Sequence, residues 1–338
     1  MSRPPGTVLR VRLGVLDVGS NTVHLLVVDA HRGAHPTPMS SEKSVLRLAE
    51  QLTGSGTLSK HGADTLIKAV ADGKASAVQF GCEDLMAFAT SAVREAGNSA
   101  AVLDRVRKET GVELEVLSGE DEARYTFLAV RRWYGWSAGR LLNLDIGGGS
   151  LEIAVGRDEN PDLACSIPMG AGRVTRTRFK HDPPSRHELR DTVEWLDEQI
   201  APVAKRVLRL GEPDLVAATS KTFRTLARLT GAAPSDRGPR VRRVLTHAGL
   251  RQLIAFISRM SAADLAELEG VSAGRSAQLV AGALVAEATM RALSLTELEI
   301  CPWALREGVI LRRLDHTDGA APPGETGRTA HFGARWNQ

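Results

Sequence analysis

Two stretches of this 338-residue chain share one design. They read "LRVRLGVLDVGSNTVHLLVVD" at residues 9–29 and "RLLNLDIGGGSLEIAVG" at residues 140–156. In each, an apolar, β-rich run ends in Asp-X-Gly, passes through small residues and resumes as a second apolar run. That pattern predicts a β-hairpin. The two acids at the turns, Asp17 and Asp145, stand 128 positions apart. A strand–turn–strand unit recurring at that distance points to an internally duplicated fold.

The segments between and after the hairpins alternate in type. A third strand is expected at residues 44–48, a helix with aliphatic spacing of three and four at 57–80, and strands at 84–91 and 111–119. A helix follows at 120–136. Beyond the second hairpin come a strand at 163–168, an irregular basic stretch through Pro183-Pro184, and a helix at 186–210. A strand at 214–220, a helix at 221–231 and a basic loop come next. The chain ends with helices at 246–258, 261–268 and 275–293, a strand at 296–302 and a helix at 304–314. This is an α/β chain whose halves meet near 125–140. The expected organisation is a first domain at 1–130, a second at 131–302, a helix at 303–314 packing back on the first, and a disordered Gly/Pro/Thr-rich tail at 316–338.

Composition limits the function classes. The chain is 43% hydrophobic and only 4% aromatic, so Leu, Val, Ile and Ala must fill its cores. No apolar run reaches membrane-spanning length, and the first residues carry no long apolar signal region. Cys82, Cys165 and Cys301 fit no zinc or redox spacing and read as thiols of a reducing cytoplasm. The net charge of +3 is uneven: residues 171–260 hold 18 Lys and Arg against 9 Asp and Glu. Such a basic half attracts anions.

The turns carry the chemistry. A strand end followed by Gly19-Ser20-Asn21, or by Gly147-Gly148-Gly149-Ser150, presents backbone N–H groups with little steric cover, a cradle for phosphate oxygens. An acid beside such a cradle repels phosphate unless a divalent cation lies between them, which gives Asp17, Asp145 and Glu152 a metal-binding reading. An ordinary hairpin is the alternative for one such turn, and the second copy weighs against it. Neither turn is a GxxxxGK[ST] loop, and GxGxxG is absent. Arg94 follows Ser91, read as an N-cap, so it sits in a first helical turn, where a bound anion would suit it. In "SGEDEAR", capping and the helix dipole account for Glu120 and Asp121 better than for Glu122, which can instead orient and deprotonate a water. Lys221, Arg224 and Arg228 form a cationic strip at a helix start, either a landing site for a polyanion or a solvated edge.

"LDVGSNTVHLLVVD", "ATSAVREAGN", "SGEDEAR", "LDIGGGSLEIAVG" and "ALREGVI", in that order across residues 13–314, resemble the exopolyphosphatase and guanosine pentaphosphate phosphatase family. The resemblance implies a duplicated ribonuclease-H-like (actin-like ATPase) fold, with two domains around a central cleft, in the family's short form. It implies a hydrolase that removes the terminal phosphate of inorganic polyphosphate with Mg²⁺ or Mn²⁺. Glu122 falls on the general base, Asp145 and Glu152 on the metal acids with Asp17 opposite them, and Asn21, Arg94 and Gly147 to Ser150 on phosphate contacts. Many relatives carry a glycine where Lys221 stands here, which favours a bare polyphosphate chain over a nucleotide. Hydrolysis of guanosine pentaphosphate or of nucleoside di- and triphosphates is the alternative, with a kinase or a non-catalytic polyanion binder behind it. Guanosine penta- and tetraphosphate and a second copy of the chain are the other implied partners; membrane and nucleic acid are not expected.

Overall fold

Each repeated hairpin forms the middle of a sheet. The first becomes β1 (Val11–Val18) and β2 (Thr22–Ala30), paired antiparallel with Asp17 opposite His24. β3 (Pro38–Val45) pairs antiparallel with β2. The chain crosses through α1 (Lys60–Gln79), capped by Ser59, to β4 (Asp84–Ala89), which lies parallel to β1 and is buried throughout. After α2 (Ser91–Arg94) and α3 (Ser99–Thr110), β5 (Glu115–Val116) pairs parallel to β4. The sheet order is β3-β2-β1-β4-β5. Leu16, Val18, Leu25, Val27 and Ala87 pack on Leu66 and Val70 of α1 and Val106 of α3.

The second sheet repeats this plan. α4 (Gly119–Tyr134) leads into β6 (Leu141–Ile146), β7 (Leu151–Gly156) and β8 (Leu163–Ile167), with β7 antiparallel to both β6 and β8. α5 (Ala171–Arg178) and α6 (Arg186–Leu208) cross to β9 (Leu215–Thr219), parallel to β6. Then follow α7 (Ser220–Leu229), β10 (Val244–Thr246), α8 (His247–Ile257), α9 (Ala262–Ala266), α10 (Leu279–Ala292) and β11 (Glu297–Ile300). The order is β10-β11-β9-β6-β7-β8. Taken from β8, it is the order of the first sheet with β10 added at the edge, so the predicted duplication is real. α11 (Leu305–His316) closes the described chain, and its Arg313 pairs with Asp84 of β4 at 3.0 Å.

The computed structural model describes residues 11–31 and 36–316. By contacts the chain separates into one unit that runs through Ser118 and takes in the residues from Arg306, and a second at Gly119–Leu305. The division falls at 118/119 rather than 130/131 because α4 packs on β6, β7 and β8. The expected tail lies outside the described residues from 317 onward; His316 is the last residue of α11.

Alternation along the strands of the second unit sorts its side chains. Leu142, Leu144, Ile153 and Val155 face a core built with Leu196, Ile200, Phe223, Leu250 and Leu284 of α6, α7, α8 and α10. Leu141, Ala154, Ala164 and Ala217 face the other way, against Ala123, Phe127 and Val130 of α4. By the same alternation Asp145, Glu152, Ser166 and Thr219 lie on the α4 face.

Some expectations fail for physical reasons. The third strand runs at 38–45 instead of 44–48, because "PMSSEKSV" is an exposed edge strand without apolar alternation. Leu48 instead opens a 3₁₀ turn, Leu48–Gln51. α5 forms within the stretch read as irregular; its "AGRVTRTR" buries only Ala171, Gly172 and Val174, too few to show a period. α3 and β10 were not anticipated. The helix expected from 275 begins as a 3₁₀ segment, Ala273–Gln278.

Candidate active site

A row of polar side chains crosses the second sheet beneath α4. Asp145 on β6 is the register partner of Glu152 on β7 and, on its other side, of Thr219 on β9; Glu152 is in turn opposite Ser166 on β8. The hydroxyls at the two ends donate inward. Thr219 Oγ1 donates to Asp145 Oδ2, and Ser166 Oγ donates to Glu152 Oε1 at 2.8 Å. Thr219 is wholly buried and Glu152 nearly so.

α4 adds a third carboxylate. Its first turn carries Glu120, Asp121 and Glu122, favoured there by the positive end of the helix. Glu120 is exposed and pairs with Arg124, whereas Glu122 is buried on the sheet side. Burial raises the Glu152 carboxyl well above the usual carboxylate range, and the charges of Glu122 and Asp145 raise it further. Hydrogen bonds from Ser150 and Ser166 pull the other way. Three acids of the second unit therefore feel one another across little solvent.

This crowding fits a divalent cation. Carboxylate oxygens are the hard donors that Mg²⁺ and Mn²⁺ take, and a cation relieves their mutual repulsion. Among the described residues no three acidic, histidine or cysteine side chains close into a ligand set alone. Asp145 and Glu152 thus offer part of a shell, as suits an ion that keeps water and binds substrate phosphate. Asp17 occupies the corresponding place in the first unit, half-buried at the end of β1 between His24 and Phe88.

Both small-residue turns close with one bond. Gly147 N–H donates to Ser150 O, and Gly19 N–H to Thr22 O, each at 2.9 Å. Gly147's own N–H is thereby engaged, so the turn's N–H donors for a phosphate come from the residues after it. In the first unit, Ser20 Oγ and Ser91 Oγ share a 3.0 Å hydrogen bond. Ser91 is not the N-cap: that position is Thr90, and Ser91 is the first helical residue. Arg94 ends this single turn and donates to Leu117 O at 2.6 Å.

The expected cationic strip on α7 is differently arranged. Lys221 lines a pocket together with Thr222, Thr225, Ser272, Arg275 and Gln278. Arg224 folds back so that Nε donates to Ser220 O at 3.1 Å, and Arg228 pairs with Glu269. The pocket's second cation is therefore Arg275, from the 3₁₀ segment before α10. Sequence reasoning also missed Thr219 and Ser166. A signal for Thr219 was present: "ATS" occurs at 89–91 and again at 218–220, each time ending a parallel strand at a helix start. Ser166 carries no local signal, since only strand register places it opposite Glu152.

Two sheets that share a five-strand order, each with an aspartate near the end of its first strand beside a turn of small residues, define the duplicated actin-like ATPase fold. The chain belongs to the Ppx/GppA phosphatase family, which it matches over residues 27–317. Exopolyphosphatase 1 of Mycobacterium tuberculosis (strain ATCC 25618 / H37Rv) is 67% identical over 312 residues, covering 92% of this chain and 91% of that protein. Exopolyphosphatase 1 of Mycobacterium leprae (strain TN) is 64% identical, covering 92% of each chain. The crystal structure of an exopolyphosphatase from Cytophaga hutchinsonii has the same fold, with a TM-score of 0.81 at 24% identity, over 90% of this chain and 98% of that one.

Proposed function

We propose that the chain is an exopolyphosphatase, hydrolysing the terminal phosphoanhydride of inorganic polyphosphate and releasing orthophosphate by in-line attack of water. The observation that carries this reading is the buried Glu122 beside the Asp145–Glu152 pair at the glycine turn. The likeness to two proteins named Exopolyphosphatase 1 supports the substrate.

Glu122 orients the attacking water and takes its proton. Asp145 and Glu152 would hold the Mg²⁺ or Mn²⁺, which would neutralise charge on the terminal phosphate oxygens. Backbone N–H groups of Gly148, Gly149 and Ser150 donate to those oxygens as charge builds on them. Ser20, Asn21 and Arg94 are the matching phosphate-contacting set of the first unit, and Asp17 its acid. Lys221 and the polar wall around Arg275, flanked by Arg224, hold inner phosphates, a contact that weakens with added salt. The same reading includes a cytoplasmic location and a homodimer.

The test measures phosphate release from long-chain polyphosphate, guanosine pentaphosphate and ATP with Mg²⁺. Polyphosphate is the expected preferred substrate, and Glu122→Gln should lose more than about 100-fold in kcat while still binding. Equal kcat in that variant would refute the general-base role. Preference for guanosine pentaphosphate would favour the second reading, which the family's breadth supports. Binding without turnover in the wild type would mark a polyanion-binding protein.

A further inference from the structure

The glycine turn is held from one side by α5. Ala171 N–H donates to Gly147 O, and Arg173 N–H donates to Gly148 O, each at 2.9 Å. The Arg173 side chain takes the third carbonyl, with Nε donating to Gly149 O at 2.9 Å. Three successive carbonyls of the turn thus point at one helix start. In a trans peptide the C=O and the following N–H point in opposite directions. Fixing the carbonyls of Gly147, Gly148 and Gly149 toward α5 therefore aims the N–H groups of Gly148, Gly149 and Ser150 away from it. Successive N–H groups turned to one side form an anion-binding nest.

The approach of α5 is close. A Cβ on Gly170 would lie 2.3 Å from Ser150 N and 2.4 Å from Gly149, so only glycine lets the helix start reach the turn. The first unit holds the carbonyls of its own turn with main-chain donors. Leu46 and Arg47 N–H donate to Asn21 O at 2.9 and 3.1 Å, and Ala49 N–H to Ser20 O at 3.3 Å. Arg173 is the side chain that the second turn uses where the first uses main chain.

We infer that Arg173 is a positioning residue for the hydrolysis, acting by clamping Gly149 O so that the turn's N–H groups face the phosphate. This rests on the proposed role of the turn as a phosphate cradle. The test compares wild type, Arg173→Ala and Arg173→Lys by kinetics on polyphosphate and by the amide NMR shifts of Gly148, Gly149 and Ser150, with and without tripolyphosphate. Arg173→Ala should lose about ten- to a hundredfold in kcat with a smaller change in KM, as expected for a misplaced donor set. Its turn amides should move and respond less to tripolyphosphate, and added methylguanidine should restore part of both. Arg173→Lys should fall between. Wild-type turn shifts and kcat in Arg173→Ala would overturn the inference, as would a kcat loss with unmoved turn amides. If the turn amides move in the variant but never respond to tripolyphosphate in wild type, the cradle reading fails while the clamp stands.

Discussion

Asp145 and Glu152 are register partners on adjacent antiparallel strands, so their carboxylates share one face of the sheet. Like charges set directly opposite each other destabilise a strand pair. Here the arrangement persists with Glu152 buried and a third acid, Glu122, near it. Flanking hydroxyls from Thr219 and Ser166 satisfy the oxygens but do not cancel the charge. The pair is where the proposed cation would relieve that repulsion.

That argument gives a stability prediction with a definite sign. The Glu152 carboxyl is raised in the folded protein, so its burial is tolerated best when it is protonated, and stability falls as pH rises above the ordinary carboxylate range. In chelator at neutral pH, Glu152→Gln should melt higher than wild type. The gap should close toward about pH 4, where an ordinary carboxyl is half protonated in the unfolded chain. With Mg²⁺ or Mn²⁺ added, wild type should gain stability and the variant little. Thermal melts across pH, with and without metal, decide it; a variant less stable than wild type in chelator would count against a cation site.

Thr219 supplies the hydroxyl that orients Asp145. Thr219→Val keeps the shape and removes the donor at a wholly buried position. A cost of about 1–3 kcal/mol in urea unfolding is expected, together with a fall in kcat, because a carboxylate oxygen loses its buried partner. Ser166→Ala removes the donor to Glu152 from a half-buried position and should cost less. Equal stability of Thr219→Val and wild type would show that the hydroxyl does not matter to Asp145.

Ser220 stands between Thr219 and the pocket residue Lys221 with φ of +75°, the left-handed region that a side chain disfavours. Ser220→Gly should stabilise the protein by about 0.5–1 kcal/mol, the relief of strain exceeding the added freedom of the unfolded chain. Ser220→Ala keeps the strain and should give no gain. Chemical denaturation of the pair checks this, and a destabilised glycine variant would mean the hydroxyl is needed more than the strain costs.

Much of this was readable from residue order, and the unread parts share a cause. The duplicated hairpins were visible because strand alternation and small-residue turns are local signals. Asp145 and Glu152 stand out because acids beside apolar runs are conspicuous, and Glu122 because capping accounts for it less well than for Glu120 and Asp121. Ser166, Arg173 and Arg275 do not, because each depends on residues distant in sequence: Ser166 meets Glu152 across a strand pair, Arg173 meets Gly149 across a helix start, and Arg275 lines the pocket of Lys221. α5, which holds the turn, gives no sequence signal because a short, basic helix with a narrow buried stripe has no strong period. The strip through Arg224 and Arg228 was a helical-wheel inference. Neighbours that could bond those two guanidinium groups, Ser220 O and Glu269, redirected them.

Glu188 offers a pH test away from the acid row. It closes the capping box of α6 with Ser185, accepting from Ser185 N–H at 2.8 Å and from Lys180 N–H at 2.6 Å. These backbone donors, with help from His181, lower its carboxyl to about 2 from an ordinary value of 4.5. A depressed carboxyl contributes stability above its unfolded value and loses it as pH falls through the folded one. Glu188→Ala should therefore be less stable than wild type at neutral pH, with the difference shrinking between about pH 4.5 and 2. The side chain keeps some contact with solvent, so salt should reduce its Coulombic part more than the hydrogen-bonded part. A difference in melting temperature that stays constant down to pH 2 would mean the side chain acts through packing and not through its charge.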